Sequence, residues 1–122
     1  MNINDFAKSN SVRPPIDFAR VNAEAMINLP AILRRWLPDG KIKRGEFIAL
    51  NPRRNDTRPG SFSINIRNGV WKDFSSGDGG SDPVSLAAYL SGLSQYDAAV
   101  ELANMLGIDP TGSTNGTKFR AA

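Results

Sequence analysis

The sequence predicts an α+β fold, in which a small antiparallel sheet of three to four strands lies between N-terminal helices and a C-terminal helical pair. Apolar residues follow a helical period over residues 17–37 and alternate in strand fashion over residues 41–74. Helical spacing returns after Asp82. The chain of 122 residues is long enough for one domain with its own core.

The N-terminal region predicts an arm followed by two helices. Residues 1–16 are polar and end in Arg-Pro-Pro, and because prolines restrict the chain to extended conformations, we interpret this segment as a flexible N-terminal arm. Pro30 divides residues 17–37 into a first helix and a short second helix over residues 31–36.

The middle of the chain predicts the sheet. Alternating polar and apolar residues indicate half-buried strands, and Arg-Gly and Asn-Gly pairs indicate tight turns. The predicted elements are strands 41–43 and 46–50 around Arg44-Gly45, strand 61–66, a turn at Asn68-Gly69 and a return strand over residues 70–74. The aromatic residues expected in the core are Trp36, Phe47, Phe62, Trp71 and Phe74.

The C-terminal region predicts a loop and two helices. Residues 75–81 form a glycine-rich loop, and Asp82 caps the first helix. The second helix begins after Ser94, and Gly107 ends it. Residues 109–122 are rich in small polar residues and are interpreted as a disordered tail or linker.

The composition excludes several kinds of chemistry. The chain has no cysteine and no histidine, so disulfides, thiolate nucleophiles, zinc–sulfur sites and imidazole bases are excluded. Asp73, Asp78 and Asp82 are the best candidates for a magnesium site, but their spacing favours separate turn and capping roles. We therefore expect no cofactor, no metal and no enzymatic activity.

The N-terminus and the apolar runs of the sequence predict the cellular location of the protein. The first residues do not resemble a signal peptide, and no apolar run approaches the roughly 20 residues that span a bilayer. We expect a cytoplasmic protein that does not contact membranes.

The order of motifs over residues 46–108 resembles the N-terminal zinc-binding, zinc-ribbon domain of DnaG-type bacterial and phage primases. That family has Cys-Pro-x-His, Thr-Pro-Ser-Phe, Cys-Phe-x-Cys, a glycine loop and two helices in succession. The corresponding segments here are Asn51-Pro52-Arg53-Arg54, Arg58-Pro59-Gly60-Ser61-Phe62, Asp73-Phe74-Ser75-Ser76, Gly77-Asp78-Gly79-Gly80 and the helix start Asp82-Pro83-Val84-Ser85-Leu86.

The resemblance implies that residues 17–108 form a primase zinc-ribbon-like domain that lacks its zinc ligands. Residues that cannot form a structural zinc site occupy the four degenerate ligand positions, which are Asn51, Arg54, Asp73 and Ser76. Similar zinc-less domains begin replication proteins of phages and mobile elements. Because Asp73 and Arg54 take opposing ligand positions, we expect their side chains to meet in a polar clasp.

Charge is distributed unevenly along the chain and predicts a binding surface. From Arg34 to Lys72 there are ten basic and three acidic residues, a net charge of +7, whereas residues 73–109 carry six acids and no base. This pattern predicts single-stranded DNA binding through phosphate contacts and one stacking aromatic. The candidate nucleic-acid-binding residues are Lys41, Lys43, Arg44, Arg53, Arg54, Arg58, Arg67, Lys72 and Trp71.

Three alternatives stay open from the sequence. The core is favoured over a stacking role for Trp71, and the basic residues are alternatively a solvated polar surface. The second functional hypothesis is a protein-interaction module, in which the acidic C-terminal helices dock a helicase, primase or polymerase partner.

Overall fold

A computed structural model describes residues 13–54 and 60–111, and it confirms the α+β class. Within these residues, four helices accompany a five-stranded antiparallel sheet of order β1-β2-β3-β4-β5. The elements are α1 Phe18–Ile27, α2 Leu29–Trp36, β1 Lys41–Lys43, β2 Glu46–Ala49, β3 Phe62–Asn65, β4 Trp71–Asp73, β5 Gly79–Gly80, α3 Pro83–Ser91 and α4 Gln95–Leu106.

The sheet is a meander, and its first turn is a two-residue hairpin. Arg44 and Gly45 both have positive φ, 54° and 80°, as a tight hairpin between right-twisted strands requires. The amide of Ile66 donates to the Gly45 carbonyl at 3.1 Å. The β1–β2 and β3–β4 turns therefore lie side by side at one end of the sheet.

The fifth strand, β5, was not predicted, because the sequence analysis assigned its residues to the glycine-rich loop. Gly79 pairs with Lys72, and Gly80 pairs with Trp71. A Cβ atom on Gly79 would lie 2.9 Å from the Trp71 carbonyl oxygen, so the strand approaches β4 more closely than a side chain permits. Two glycines have no alternating side chains, and therefore no strand pattern marks them in the sequence.

One face of the sheet carries the main core. The strand register aligns Phe47, Ile64 and Trp71 on this face, and all three are buried. Leu33 of α2 and Leu86 of α3 pack against them in one cluster. This face is covered by helices, so the residues between these positions point to the other side of the sheet.

A second cluster holds the helices together. Val21 of α1 packs with Val84 of α3 and with Leu102 of α4. The Asn22 side chain also accepts a hydrogen bond from the Val84 amide at 2.9 Å, which fixes α1 at the start of α3. As predicted, Asp82 caps α3, where its carboxylate accepts from the Ser85 amide at 2.8 Å.

The described parts of the predicted arm and tail, residues 13–16 and 109–111, pack against the helices. Arg13 lies over the Tyr96 ring, 3.7 Å from its centroid, and forms an ion pair with Asp97 at 3.0 Å. The Asp17 amide donates to the Pro110 carbonyl at 2.9 Å. The two ends of the described chain are therefore joined; residues 1–12 and 112–122 lie outside the described residues.

Candidate nucleic-acid interface

The four residues that the predicted ribbon alignment assigns to zinc-ligand positions meet at the end of the sheet opposite the hairpin turns. Asn51 Nδ2 donates to Asp73 Oδ2 at 2.8 Å, and Arg54 Nε donates to the same oxygen at 2.7 Å. The Ser76 amide donates to Asp73 Oδ1 at 3.2 Å. This confirms the predicted contact between Arg54 and Asp73, and we call these four residues the clasp.

Asp73 is the centre of the clasp and is fully buried. Burial raises the pKa of its carboxyl group, but hydrogen bonds from Asn51, from Arg54 and from the amides of Ser75 and Ser76 outweigh that effect. Together they hold the pKa of Asp73 well below its ordinary range. The carboxylate is therefore ionised at neutral pH and joins the loops that follow β2 and β4.

Asn51 is the second fully buried polar residue of the clasp. Its Oδ1 accepts from the Arg53 amide at 2.8 Å, and its carbonyl accepts from the Arg54 amide at 3.0 Å. These bonds form a tight turn that presents the Arg54 side chain to Asp73. Arg54 Nη2 also donates to Ser61 Oγ at 3.1 Å, so the clasp reaches the start of β3.

Tyr89 and Asp78 extend this polar network through contacts that were not predicted from the sequence. Asn51 Nδ2 also donates to the Tyr89 hydroxyl at 2.9 Å, and that hydroxyl donates to Asp78 Oδ2 at 2.8 Å. Burial, together with the neighbouring carboxylate of Asp78, raises the pKa of Tyr89. No local pattern marks this network, because Asn51 and Tyr89 are 38 positions apart and come together only in the folded chain.

The face of the sheet that the helices leave uncovered carries lysines. The register places Lys41, Ile48, Ser63 and Lys72 in one row across four strands. Lys43 lies two residues from Lys41 on the same side. All three lysines are exposed. We call this surface the open face.

Phe74 belongs to the open face, which corrects its predicted place in the core. Its side chain is 70% exposed, and the Lys72 ammonium lies 5.7 Å from its ring centroid. The residue follows Lys72 by two positions, so both side chains leave the strand on the same side.

Trp71 is buried, which confirms its predicted place in the core and contradicts its alternative role in nucleic-acid contact. Its ring is 3% exposed, its indole N–H donates to Ser85 Oγ at 2.9 Å, and it packs at 4.8 Å from the Tyr89 ring centroid. The aromatic ring available for contact is therefore that of Phe74, which directly follows β4. Strand alternation carries this signal, because Trp71 and Phe74 are three positions apart and cannot share a face.

Some of the remaining basic residues lie at the turn end of the open face, and others lie elsewhere in the structure. Arg44 and Arg67 are exposed in the two adjoining turns at one end of the sheet. Arg54 is held in the clasp. The Arg53 guanidinium lies beside Gly92, at 3.7 Å from the position of an added Cβ, and therefore faces the helices. Arg58 lies outside the described residues.

One acidic residue also lies on the open face. Glu46 accepts hydrogen bonds from Ser63 Oγ and, at 3.1 Å, from Asn65 Nδ2. These bonds join β2 to β3 and occupy the carboxylate oxygens of Glu46 within the sheet. The lysines and the turn arginines outnumber it, so the charge of the open face with its turns is positive.

Asp73, Asp78 and Asp82 have separate roles in the structure, as their spacing predicted. Asp73 belongs to the clasp, Asp78 accepts from Tyr89, and Asp82 caps α3. Across residues 13–54 and 60–111, no group of three or more acidic residues is placed to hold a metal ion.

No protein-family model matches the chain, and no curated protein matches it significantly. Within the described ranges, no helix has the length and apolar character needed to cross a bilayer. The function of the protein is therefore inferred from the clasp and the open face.

Proposed function

We propose that this chain is a single-stranded-nucleic-acid-binding module of a replication protein, acting in the cytoplasm without a cofactor. Its ligand lies across the open face, where Phe74 stacks on a base and the lysines contact phosphates. The observation that carries the proposal is the pairing of an exposed aromatic ring with Lys72 on a sheet face that no described helix covers.

The side chains of the open face favour binding of a single strand over binding of a duplex. A flat ring that protrudes from a sheet offers a stacking surface, and stacking of about 1–3 kcal/mol per base requires an unpaired base. The ammonium group of Lys72 lies beside that ring, within reach of the phosphate that follows a stacked base. A duplex would present only its phosphates to the same surface.

The strand spacing of the sheet sets the length of the contact. Lys41 on β1 and Lys72 on β4 are separated by three strand steps, or about 14 Å at roughly 4.8 Å per step. Arg44 and Arg67 extend the positive surface at the turn end. A short oligonucleotide of several nucleotides is therefore long enough to use all of these contacts.

The clasp supports the proposed relation to primase zinc ribbons. A structural zinc joins two loops at one end of a ribbon, and here Asp73 joins the corresponding loops through Asn51 and Arg54. The proposed module is a domain that positions template in a primase-like protein of a phage or mobile element, and it is not itself an enzyme.

The deciding experiment is fluorescence anisotropy with labelled oligonucleotides of identical sequence in single-stranded and duplex form. We expect the single strand to bind more tightly, with weak sequence preference and with affinity that falls steeply as salt rises from about 50 to about 200 mM. Absence of binding at the lower salt, or preference for the duplex, would overturn the proposal.

A further inference from the structure

A cleft on the helical side of the molecule, remote from the open face, has no role in the proposed function. It lies among α2, α3 and α4, has a volume of about 560 Å³, and has apolar walls formed by Trp36, Leu90, Leu93, Leu102 and Met105. Leu93 and Met105 are 39% and 37% exposed, so apolar side chains remain in contact with solvent there. A concave apolar surface of this kind marks a binding site.

We propose that this helical cleft binds one face of an amphipathic helix from another protein. Concave walls fit a convex occupant, and a second copy of this chain would bring one concavity against another and leave a void. The cleft is lined by helices, the α3–α4 turn and Pro52, with no strand of the sheet along it. A peptide there finds no strand edge to pair with, and a helix fits such a surface because it satisfies its own backbone hydrogen bonds.

The polar groups of the cleft argue against a small polar ligand. The Ser91 hydroxyl already donates to the Ala87 carbonyl at 2.6 Å. Among the described residues, no buried side-chain nitrogen or oxygen lacks a hydrogen-bond partner. A small ligand would find no buried polar anchor, whereas apolar side chains on a helix need none.

Charges in the lining specify the flanks of the partner helix. Arg35 comes from α2 and Glu101 from α4, both are exposed, and neither forms an ion pair with another described residue. A complementary helix therefore carries an acidic residue toward Arg35 and a basic residue toward Glu101, on either side of its apolar stripe. Trp36, half-buried in the cleft, is the expected centre of the binding energy.

The test is a phage-display selection of random linear peptides against the wild-type protein, with a Leu93→Asp, Met105→Asp double variant as the counter-target. We expect the selected peptides to carry apolar residues at helical spacing with an acidic flank, and to become helical by circular dichroism on binding. Binding to the double variant should be at least tenfold weaker. Selected peptides that bind both proteins equally, or the failure to select any, would overturn the proposal.

Reversing one charge on the protein and one on the peptide tests the orientation of the bound helix without changing an apolar residue. Arg35→Glu should weaken binding of a selected peptide about threefold, as expected for an exposed ion pair, and replacing the acidic flank of the peptide by lysine should restore it. Failure of this restoration contradicts the assigned flanks, and dimerisation of the wild type that Met105→Asp abolishes would assign the cleft to a second copy instead.

The cleft proposal stands apart from the proposed function and can fail separately. The double variant alters residues that are more than one-third exposed, so it should still fold, with a melting temperature a few degrees lower because each new carboxylate replaces a partly covered apolar side chain. Its affinity for a single-stranded oligonucleotide should be unchanged, because neither substitution touches the open face.

Discussion

Asn51 and Asp73 are both fully buried, and the amide of the first donates to the carboxylate of the second at 2.8 Å. A buried carboxylate is stable only when it is paired and hydrogen-bonded, and Asp73 receives bonds from two side chains and two amides. The same bonds connect the loops after β2 and β4. The clasp therefore holds these two loops together with polar groups alone, as a bound metal ion could do.

Replacement of Asp73 by alanine should destabilise the fold strongly. The substitution leaves the buried amide of Asn51 and the guanidinium of Arg54 without their shared acceptor, and removing one partner of a buried pair costs about 3 kcal/mol. We expect the melting temperature to fall by roughly 10 °C or more, measured by circular dichroism.

Ser76→Ala is the matched control for the clasp. Only the backbone amide of Ser76 reaches Asp73, and its hydroxyl accepts from the exposed Asp78 amide. Its loss should therefore change the unfolding free energy by only about 0.5 kcal/mol. Equal losses in Asp73→Ala and Ser76→Ala would contradict the central position of Asp73.

Acid should weaken the fold through Asp73. Its pKa in the folded protein lies below its ordinary value of 3.8, so the carboxylate stabilises the fold fully above about pH 5. This contribution is lost as pH falls from there toward the lowered folded-state pKa. Urea unfolding from about pH 7 to pH 2 should show wild type and Asp73→Asn converging below about pH 4; a constant difference down to the lowest pH would count against this assignment.

Local patterns predicted most of the fold, because its elements are defined by local chemistry. The hairpin at Arg44-Gly45, the cap at Asp82 and the stop at Gly107 depend on neighbouring residues alone, and all three are present. The strand β5 was missed, since glycines carry no side chains to alternate.

The site was only partly predictable, for two physical reasons. The contact between Arg54 and Asp73 followed from aligning the chain with a ribbon, whereas the bond from Asn51 to Tyr89 depends on how α3 packs against the sheet. Phe74 was assigned to the core and Trp71 to both the core and the binding surface, although strand alternation puts the two residues on opposite faces.

Phe74→Ala should weaken single-stranded binding without affecting stability. The side chain is 70% exposed, and the loss of one stacked base at about 1–3 kcal/mol predicts an affinity loss of roughly tenfold. Anisotropy titrations measure this loss. Ile27→Ala, which removes an equally exposed apolar side chain from α1, is the control and should bind as the wild type does.

The buried neighbour of Phe74 should behave in the opposite way. Trp71→Ala removes a packed ring from the core and should cost about 3–5 kcal/mol of unfolding free energy, measured by denaturant titration. If Trp71→Ala folded normally and lost only oligonucleotide affinity, Trp71 and not Phe74 would be the stacking residue.

Each lysine of the open face should contribute to the salt dependence of binding. Lys41→Ala and Lys72→Ala should each lower affinity and reduce the slope of log affinity against log salt by about 1. Arg53→Ala removes the same charge from the helical side and should leave the slope unchanged. An equal effect of all three substitutions would indicate diffuse electrostatic attraction, contrary to the proposed site.

Arg44→Asn removes a positive charge at the tip of the β1–β2 hairpin and should leave the turn conformation intact. Arg44 occupies the left-handed region with φ of 54°, a conformation that asparagine tolerates better than arginine does. The variant should therefore melt at the same or a slightly higher temperature, while its affinity for a single-stranded oligonucleotide falls because a phosphate contact is lost. Arg53→Asn makes the same exchange beside Gly92 and should keep wild-type affinity. A stable Arg44→Asn variant with undiminished affinity would limit the binding surface to the lysines and Phe74, excluding the turn end of the sheet.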